Sequence, residues 1–228
     1  MSHRNVATAL AVVLVMGAVA LAQAGPADYV MPVDKHSTAK GRALAAKYQA
    51  QLLQFSDYVY HCLPYLEIRN GLGFKRVPKE PADNRYAAVW VRAEQATDAA
   101  FEALPLDRQA SAMFSRYGVP MLRRLSAIPG LQSDPDVYGF SVAVEWIKPG
   151  SDPNRPTMEI LSIFADQAST RAFLAKTLSA GEYLQRTRLT FFDGDKELGR
   201  LPIEVWEDNF VGTYKMPGYE MEKGKVCS

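Results

Sequence analysis

Hydrophobic residues in the first half of the chain recur every three or four positions, a spacing that places them on one face of an α-helix. Ser37 or Thr38 can cap the first such run, and Pro64 limits its end because a proline disfavours helical geometry in the residue before it. The pattern predicts a helix between these positions and then a glycine- and proline-containing loop over residues 70–81. The apolar face of the helix consists of Leu44, Tyr48, Leu52, Phe55, Val59, Cys62 and Leu63.

Three more helices are predicted in the same half. The second covers residues 83–104, because its large apolar residues have helical spacing although the composition of residues 86–92 is typical of a strand. A third covers residues 107–117, and a glycine and a proline then interrupt the pattern. It resumes in a short fourth helix over residues 121–128.

From Asp134 onward the hydrophobic pattern has a period of two, as expected for strands with one buried face. Residues 138–146 alternate in this way, and residues 157–165 form a second strand that is apolar on both faces and is therefore expected to be central. Asp166 can cap a following helix that ends at Gly181.

A β-hairpin is predicted around the dipeptide Asp193-Gly194, which is favoured in two-residue hairpin turns. Its strands cover residues 186–192 and 197–206, and residues 210–214 suggest one more edge strand. The order strand, strand, helix, strand, strand indicates a mainly antiparallel sheet with one packed helix.

These elements predict an α+β fold. A helical subdomain of about four helices is expected over residues 25–132, and a mainly antiparallel β-sheet subdomain with a C-terminal tail over residues 133–228. The apolar content of 48% and the charged content of 22% are typical of a globular protein and argue against disorder.

Residues 1–24 have the pattern of a signal peptide. Arg4 supplies a positive charge, residues 6–21 are almost entirely apolar, and Ala22-Gln23-Ala24 is a small-residue cleavage site. The alternative is an uncleaved membrane anchor, but the apolar run only reaches the lower limit of about 17 residues for a spanning helix. The sequence therefore predicts a periplasmic or secreted protein with no membrane span after cleavage.

The charge balance argues against a nucleic-acid partner. The chain has 26 basic and 25 acidic side chains, and removal of residues 1–24 takes away Arg4 alone and leaves no net charge with histidine neutral. Nucleic-acid-binding proteins normally have a basic excess. A protein partner in the cell envelope is the expectation that remains.

Cys62 and Cys227 are the only cysteines in the chain, and an even number in an exported protein suggests a disulfide. The bond would close a loop from position 62 to position 227, or 165 residues. The chain-entropy model assigns such a loop roughly 5 kcal/mol as an upper figure. The alternative is two separate thiols.

No catalytic residue, cofactor-binding residue or metal ligand can be nominated from a motif in this sequence, and no cofactor is expected. The aromatic residues near the end of the first helix are the best candidates for contact with a partner, because tyrosine is enriched in recognition surfaces. These candidates are Tyr58, Tyr60, His61 and Tyr65, and packing beneath the following loop is their alternative role.

The sequence favours an exported, non-enzymatic binding protein or accessory subunit that acts through protein–protein contacts. Two alternatives stay open. One is a carrier that holds a small apolar ligand between the two subdomains. The other is a hydrolase that uses two carboxylates, which would have to face each other across a cleft at about 5 to 9.5 Å.

Overall fold

The computed structural model describes residues 25–63, 65–93 and 99–206. A π-helical turn, Phe114–Gly118 (the π-turn), joins two of the helices. The helices are α1 (Ala39–Cys62), α2 (Ala99–Glu102), α3 (Leu106–Met113), α4 (Val119–Ser126), α5 (Gln167–Leu174) and α6 (Ala180–Arg186). The strands are β1 (Leu66–Lys75), β2 (Arg85–Ala93), β3 (Val137–Ile147), β4 (Met158–Asp166), β5 (Arg188–Asp193) and β6 (Lys196–Gly199).

The six strands form one sheet in the order β1-β2-β3-β4-β5-β6. Each neighbouring pair is antiparallel except β2 and β3, which run parallel. An isolated parallel bridge between Val30 and Leu72 adds a further short pairing. The α+β class and the mainly antiparallel sheet are therefore confirmed. The sheet takes β1 and β2 from residues 25–132, so this part of the chain is not the helical unit that its pattern predicts.

One face of the sheet carries the hydrophobic core. Ile68, Val91, Val144, Leu161 and Phe191 lie directly opposite one another on five successive strands, and each is at most 4% exposed. Helix α1 packs against β1, α4 against β2 and β3, and α5 against β3 and β4. Burial of one such side chain contributes about 1.5–3 kcal/mol, so this row fixes the strand register.

Helix α1 agrees with its prediction. Thr38 is its N-cap, and the Thr38 hydroxyl accepts a hydrogen bond from the Gly41 N–H at 3.1 Å. The same hydroxyl accepts from the Arg85 guanidinium at 2.6 Å and donates to Asp83 at 2.9 Å. The cap therefore also ties the start of α1 to the start of β2.

The predicted helix over residues 83–104 is wrong for its first half, because residues 85–93 form β2, and only α2 near its end is helical. This strand lies between β1 and β3, and seven of its nine residues are buried. A strand covered on both faces has no polar alternation, so its large residues can also match helical spacing by chance.

The predicted loop over residues 70–81 is also partly wrong, because β1 extends to Lys75. Its register shifts between Arg69 and Gly73, and Gly71 has a φ of +76°. A Cβ at Gly73 would lie 3.0 Å from His36 Nε2, so any larger residue would crowd the histidine ring where β1 passes it. The glycines indicate a bulged strand instead of a loop.

Two smaller predictions change in the second half. Asp166 caps α5 as predicted, but α5 ends at Leu174, and Gly181 lies inside the separate helix α6. Strand β6 ends at Gly199, and residues 201–206 (the terminal segment) leave the sheet. The predicted strand over residues 210–214 and the predicted signal over residues 1–24 lie outside the described residues.

His36 connects the N-terminal residues to the sheet. It is 2% exposed, its Nδ1 lies 3.1 Å from the Pro32 carbonyl, and its Nε2 accepts the Phe74 N–H at 3.2 Å. These two bonds require the neutral ring with its proton on Nδ1. Burial lowers the pKa of His36 from its usual value, and the nearby charge of Arg85 acts in the same direction.

We expect the stability of the protein to fall as the pH drops below about 6.5, the pKa of histidine in an unfolded chain. Below that pH the unfolded state binds a proton that the folded state does not bind. The free energy of unfolding therefore falls by up to about 1.4 kcal/mol per pH unit. Urea unfolding of the wild type and of His36→Gln at about pH 7.5 and 5.5 measures the effect. The wild type should lose more stability than the variant, and equal losses would exclude the neutral, buried ring.

Candidate functional site

A groove of about 950 Å³ is the candidate site. It lies between the end of α1, the π-turn with α4, and the connection from α5 to α6. Val205 and Trp206 at the end of the terminal segment form part of its wall. The groove therefore combines residues from both parts of the chain that the sequence predicts as subdomains.

Four cationic side chains line this groove. Arg116 belongs to the π-turn, Arg123 and Arg124 belong to α4, and Lys176 follows α5. Arg116 and Arg124 are partly exposed, while Arg123 and Lys176 are exposed. No aspartate or glutamate of residues 25–63, 65–93 or 99–206 lines the groove. Its local charge is therefore positive, although the chain as a whole is almost neutral.

Aromatic rings form much of the remaining wall. The Arg124 guanidinium lies 3.3 Å from the centre of the Tyr58 ring, in a cation–π contact that holds both side chains in place. The rings of Tyr65 and Tyr117 are 6.0 Å apart, and burial raises the pKa of Tyr117, so its hydroxyl is neutral at physiological pH. The groove aromatics are Tyr58, Tyr65, Tyr117, Phe173 and Trp206.

The π-turn determines the direction of two side chains that line the groove, Arg116 and Tyr117. The Val119 N–H bonds to the Phe114 carbonyl, five residues back, and Pro120 has no N–H to donate. The Phe114 ring lies so close to Gly118 that a Cβ at this position would overlap it. The wider turn inserts one extra residue and so rotates Arg116 and Tyr117 relative to an unbroken α-helix, a distortion that is frequent at functional sites.

The terminal segment runs beside α3 and the π-turn. The Glu204 N–H donates to the Ser111 hydroxyl at 2.9 Å, and the Trp206 N–H donates to the Ser115 hydroxyl at 2.7 Å. Arg108 also forms an ion pair with Glu204 at 2.6 Å. These contacts explain why residues 201–206 leave the sheet where the sequence predicts a strand.

Lys176 has an unusual backbone conformation. Its φ of +59° is in the left-handed region, at the end of α5, where glycine is the common residue. The Lys176 N–H bonds to the Phe173 carbonyl, and the Thr177 N–H bonds to the Ala172 carbonyl, which closes the helix in the usual way. A lysine here costs stability relative to glycine, and it places a cation in the groove.

The structure separates the predicted partner-binding residues into two groups. Tyr58 and Tyr65 line the groove. Tyr60 is 37% exposed and packs against Tyr29 and His61, and His61 Nε2 lies 3.3 Å from the Asp57 carboxylate. Tyr60 and His61 are therefore placed beside the groove and not in its wall.

The sequence analysis did not find the groove cations. Arg116, Arg123 and Arg124 are separated by seven and eight residues, which is the repeat of one helical face and could have indicated a cationic stripe. No comparable signal exists for Lys176, because it reaches the groove only through the packing of α5. Cys62 is buried at the end of α1, and Cys227 lies outside the described residues, so their pairing stays a prediction.

One carboxylate pair resembles what a hydrolase would require. Glu159 and Asp193 are directly opposite on β4 and β5. Burial raises the pKa of Glu159, which accepts the Trp146 indole N–H at 2.7 Å, while Asp193 is paired with Lys148 at 2.7 Å. Glu159 is only 3% exposed, and neither carboxylate lines the groove. These contacts are typical of structural pairs.

The described ranges also contain no helix with the length and apolar character that a bilayer crossing requires. Within them, no group of three or more histidine, cysteine, aspartate or glutamate side chains is placed to hold a metal ion.

Comparison with known proteins gives no family model, no curated protein and no solved structure that matches this chain. The functional argument therefore rests on the geometry of the groove.

We expect Lys176→Gly to raise the free energy of unfolding by about 1 kcal/mol, because glycine adopts a positive φ without steric cost. Lys79→Gly is the matched control, since Lys79 has a φ of +65° and does not line the groove. Urea denaturation should show a similar gain for both variants. A loss of stability in Lys176→Gly alone would contradict the argument that the groove lysine is kept at a cost.

Proposed function

We propose that this protein is an exported, non-enzymatic binding protein or accessory subunit whose groove recognises an acidic, aromatic segment of a protein partner in the cell envelope. The observation that carries the proposal is the composition of the groove wall. Four cations and five aromatic rings meet there, with no carboxylate from the described residues among them. Such a wall attracts carboxylates and offers stacking surfaces to aromatic side chains.

Exposure of the groove cations supports a peptide ligand. Arg123 and Lys176 are exposed and line the groove from different elements, one on α4 and the other after α5. An acidic segment between them could contact both, while its aromatic side chains pack on Tyr58 and Trp206. Aromatic residues and arginine are also the residue types that dominate binding energy in protein interfaces.

A small-molecule carrier is the second candidate. The groove lies between residues 58–127 and 173–206, where the sequence predicts the contact of two subdomains, and its volume is within the range of ligand cavities. The four cations favour a ligand with an anionic group over a purely apolar one. A nucleic acid is a poorer match, because the chain as a whole has a formal net charge of only +1.

Binding can be tested with a dye-labelled ten-residue peptide of alternating glutamate and tyrosine. We expect it to bind the native chain with an affinity that falls as sodium chloride is raised, because salt screens exposed charges. Fluorescence anisotropy should show about tenfold weaker binding for Arg123→Glu. The charge-matched control Arg155→Glu changes an exposed arginine outside the groove and should leave binding unchanged.

Two further peptides separate charge from stacking. Alternating lysine and tyrosine removes the negative charge, and alternating glutamate and serine removes the rings. Both should bind at least about tenfold more weakly than the first peptide. Equal binding of all three, or equal effects of Arg123→Glu and Arg155→Glu, would contradict a specific groove site.

The proposal includes export and a disulfide between Cys62 and Cys227, which would hold the tail beside the end of α1. Mass spectrometry of the native protein should find a chain that starts at Gly25 and two cysteines that resist alkylation until a reductant is added. Cys62→Ser should lower the free energy of unfolding by up to roughly 5 kcal/mol. A retained Met1, or two thiols that react without reductant, would contradict this part.

A further inference from the structure

The path of the terminal segment leads into the groove. The segment donates two backbone hydrogen bonds, from the N–H groups of Glu204 and Trp206, which are two residues apart. Their acceptors, the hydroxyls of Ser111 and Ser115, are four residues apart. Both steps cover about 6 Å, since an extended chain rises about 3.3 Å and a helix about 1.5 Å per residue. The segment therefore runs parallel to α3 and towards α4.

The terminal segment ends at Trp206, which lines the groove, and Glu207 and Asp208 follow it directly in the sequence. The same groove is lined by Arg116, Arg123 and Arg124. Two carboxylates therefore come immediately after the point where the terminal segment reaches a cationic groove.

The end of α1 is where the tail would be fixed beside the groove. Cys62 is the last residue of α1, and its neighbours Leu63 and Tyr65 line the groove. Cys227 follows Trp206 by 21 residues, which extended could span about 70 Å. A chain that leaves at Trp206 and returns to a bond with Cys62 can therefore cover the groove with residues to spare.

The composition of the tail matches the groove wall. Residues 207–226 contain four carboxylates, three lysines and three aromatic rings, and the two residues directly after Trp206 are both carboxylates. The carboxylates can pair with the arginines, and the rings can pack on the groove aromatics. The residues concerned are Glu207, Asp208, Glu220 and Glu222, with Phe210, Tyr214 and Tyr219.

We propose that residues 207–226 of the chain itself dock in the groove, anchored at one end by the Ser111 and Ser115 hydrogen bonds and at the other by the disulfide. A tethered segment has an effective concentration in the millimolar range, so it can compete with a free peptide of modest affinity. That competition rests on the proposed function, whereas the docking does not. Reduction of the disulfide removes one tether and makes the groove more accessible.

Hydrogen exchange of the full native chain tests the docking. In the oxidised protein the backbone amides of residues 207–222 should exchange at least about tenfold more slowly than in urea. Asp208→Lys and Arg123→Glu should each accelerate this exchange, and the double variant should restore part of the protection, because the pair is then reversed. Asp195→Lys, an exposed position in the β5–β6 turn, is the charge-matched control and should have no effect.

The peptide of alternating glutamate and tyrosine separates the two proposals. Asp208→Lys leaves the groove wall intact, so it should tighten peptide binding several-fold, whereas Asp195→Lys should not. Unprotected amides in residues 207–222, or equal exchange in Asp208→Lys and Asp195→Lys, would overturn the docking. Protected amides with no peptide binding even in Asp208→Lys would instead overturn the proposed partner and leave the docking in place.

Discussion

The parallel pairing of β2 with β3 is the constraint on which the rest of the structure depends. Two parallel strands cannot be joined by a hairpin, so the chain between them must cross one face of the sheet. This crossing contains α3, the π-turn and α4, and α4 packs on both strands that it connects. The cationic wall of the groove is therefore placed by the same connection that completes the core.

Two local distortions of the backbone lie at the groove. The π-turn departs from α-helical geometry, and Lys176 adopts a positive φ. Strain of this kind persists only where the surrounding structure stabilises it, and it is concentrated at functional sites. By contrast, Glu145 forms ion pairs with Arg92 and Arg69 within the strands, and these pairs stabilise the sheet.

The sequence predicted elements best where the caps are local. Thr38 and Asp166 cap helices as expected. Strands β3 and β4 form where they were predicted, but β3 is buried on both faces and β4 alternates between buried and partly buried positions, which is the reverse of the expectation. Strand β2 was missed because it is buried on both faces, and β1 because its glycines accommodate His36 and a bulge. Of the groove residues, the sequence predicted only Tyr58 and Tyr65, although the spacing of the groove arginines was a further signal. Lys176 reaches the groove by tertiary packing that no local pattern encodes.

The most direct test of the central claim is photo-crosslinking of a peptide of alternating glutamate and tyrosine, with one benzophenone group, to the native Asp208→Lys protein. Mass spectrometry then locates the crosslinked residues. The account predicts crosslinks within residues 115–127 and 173–180, which line the groove. Crosslinks that fall on the opposite face of the sheet, around Trp90 and Phe164, would show that the groove is not the binding site.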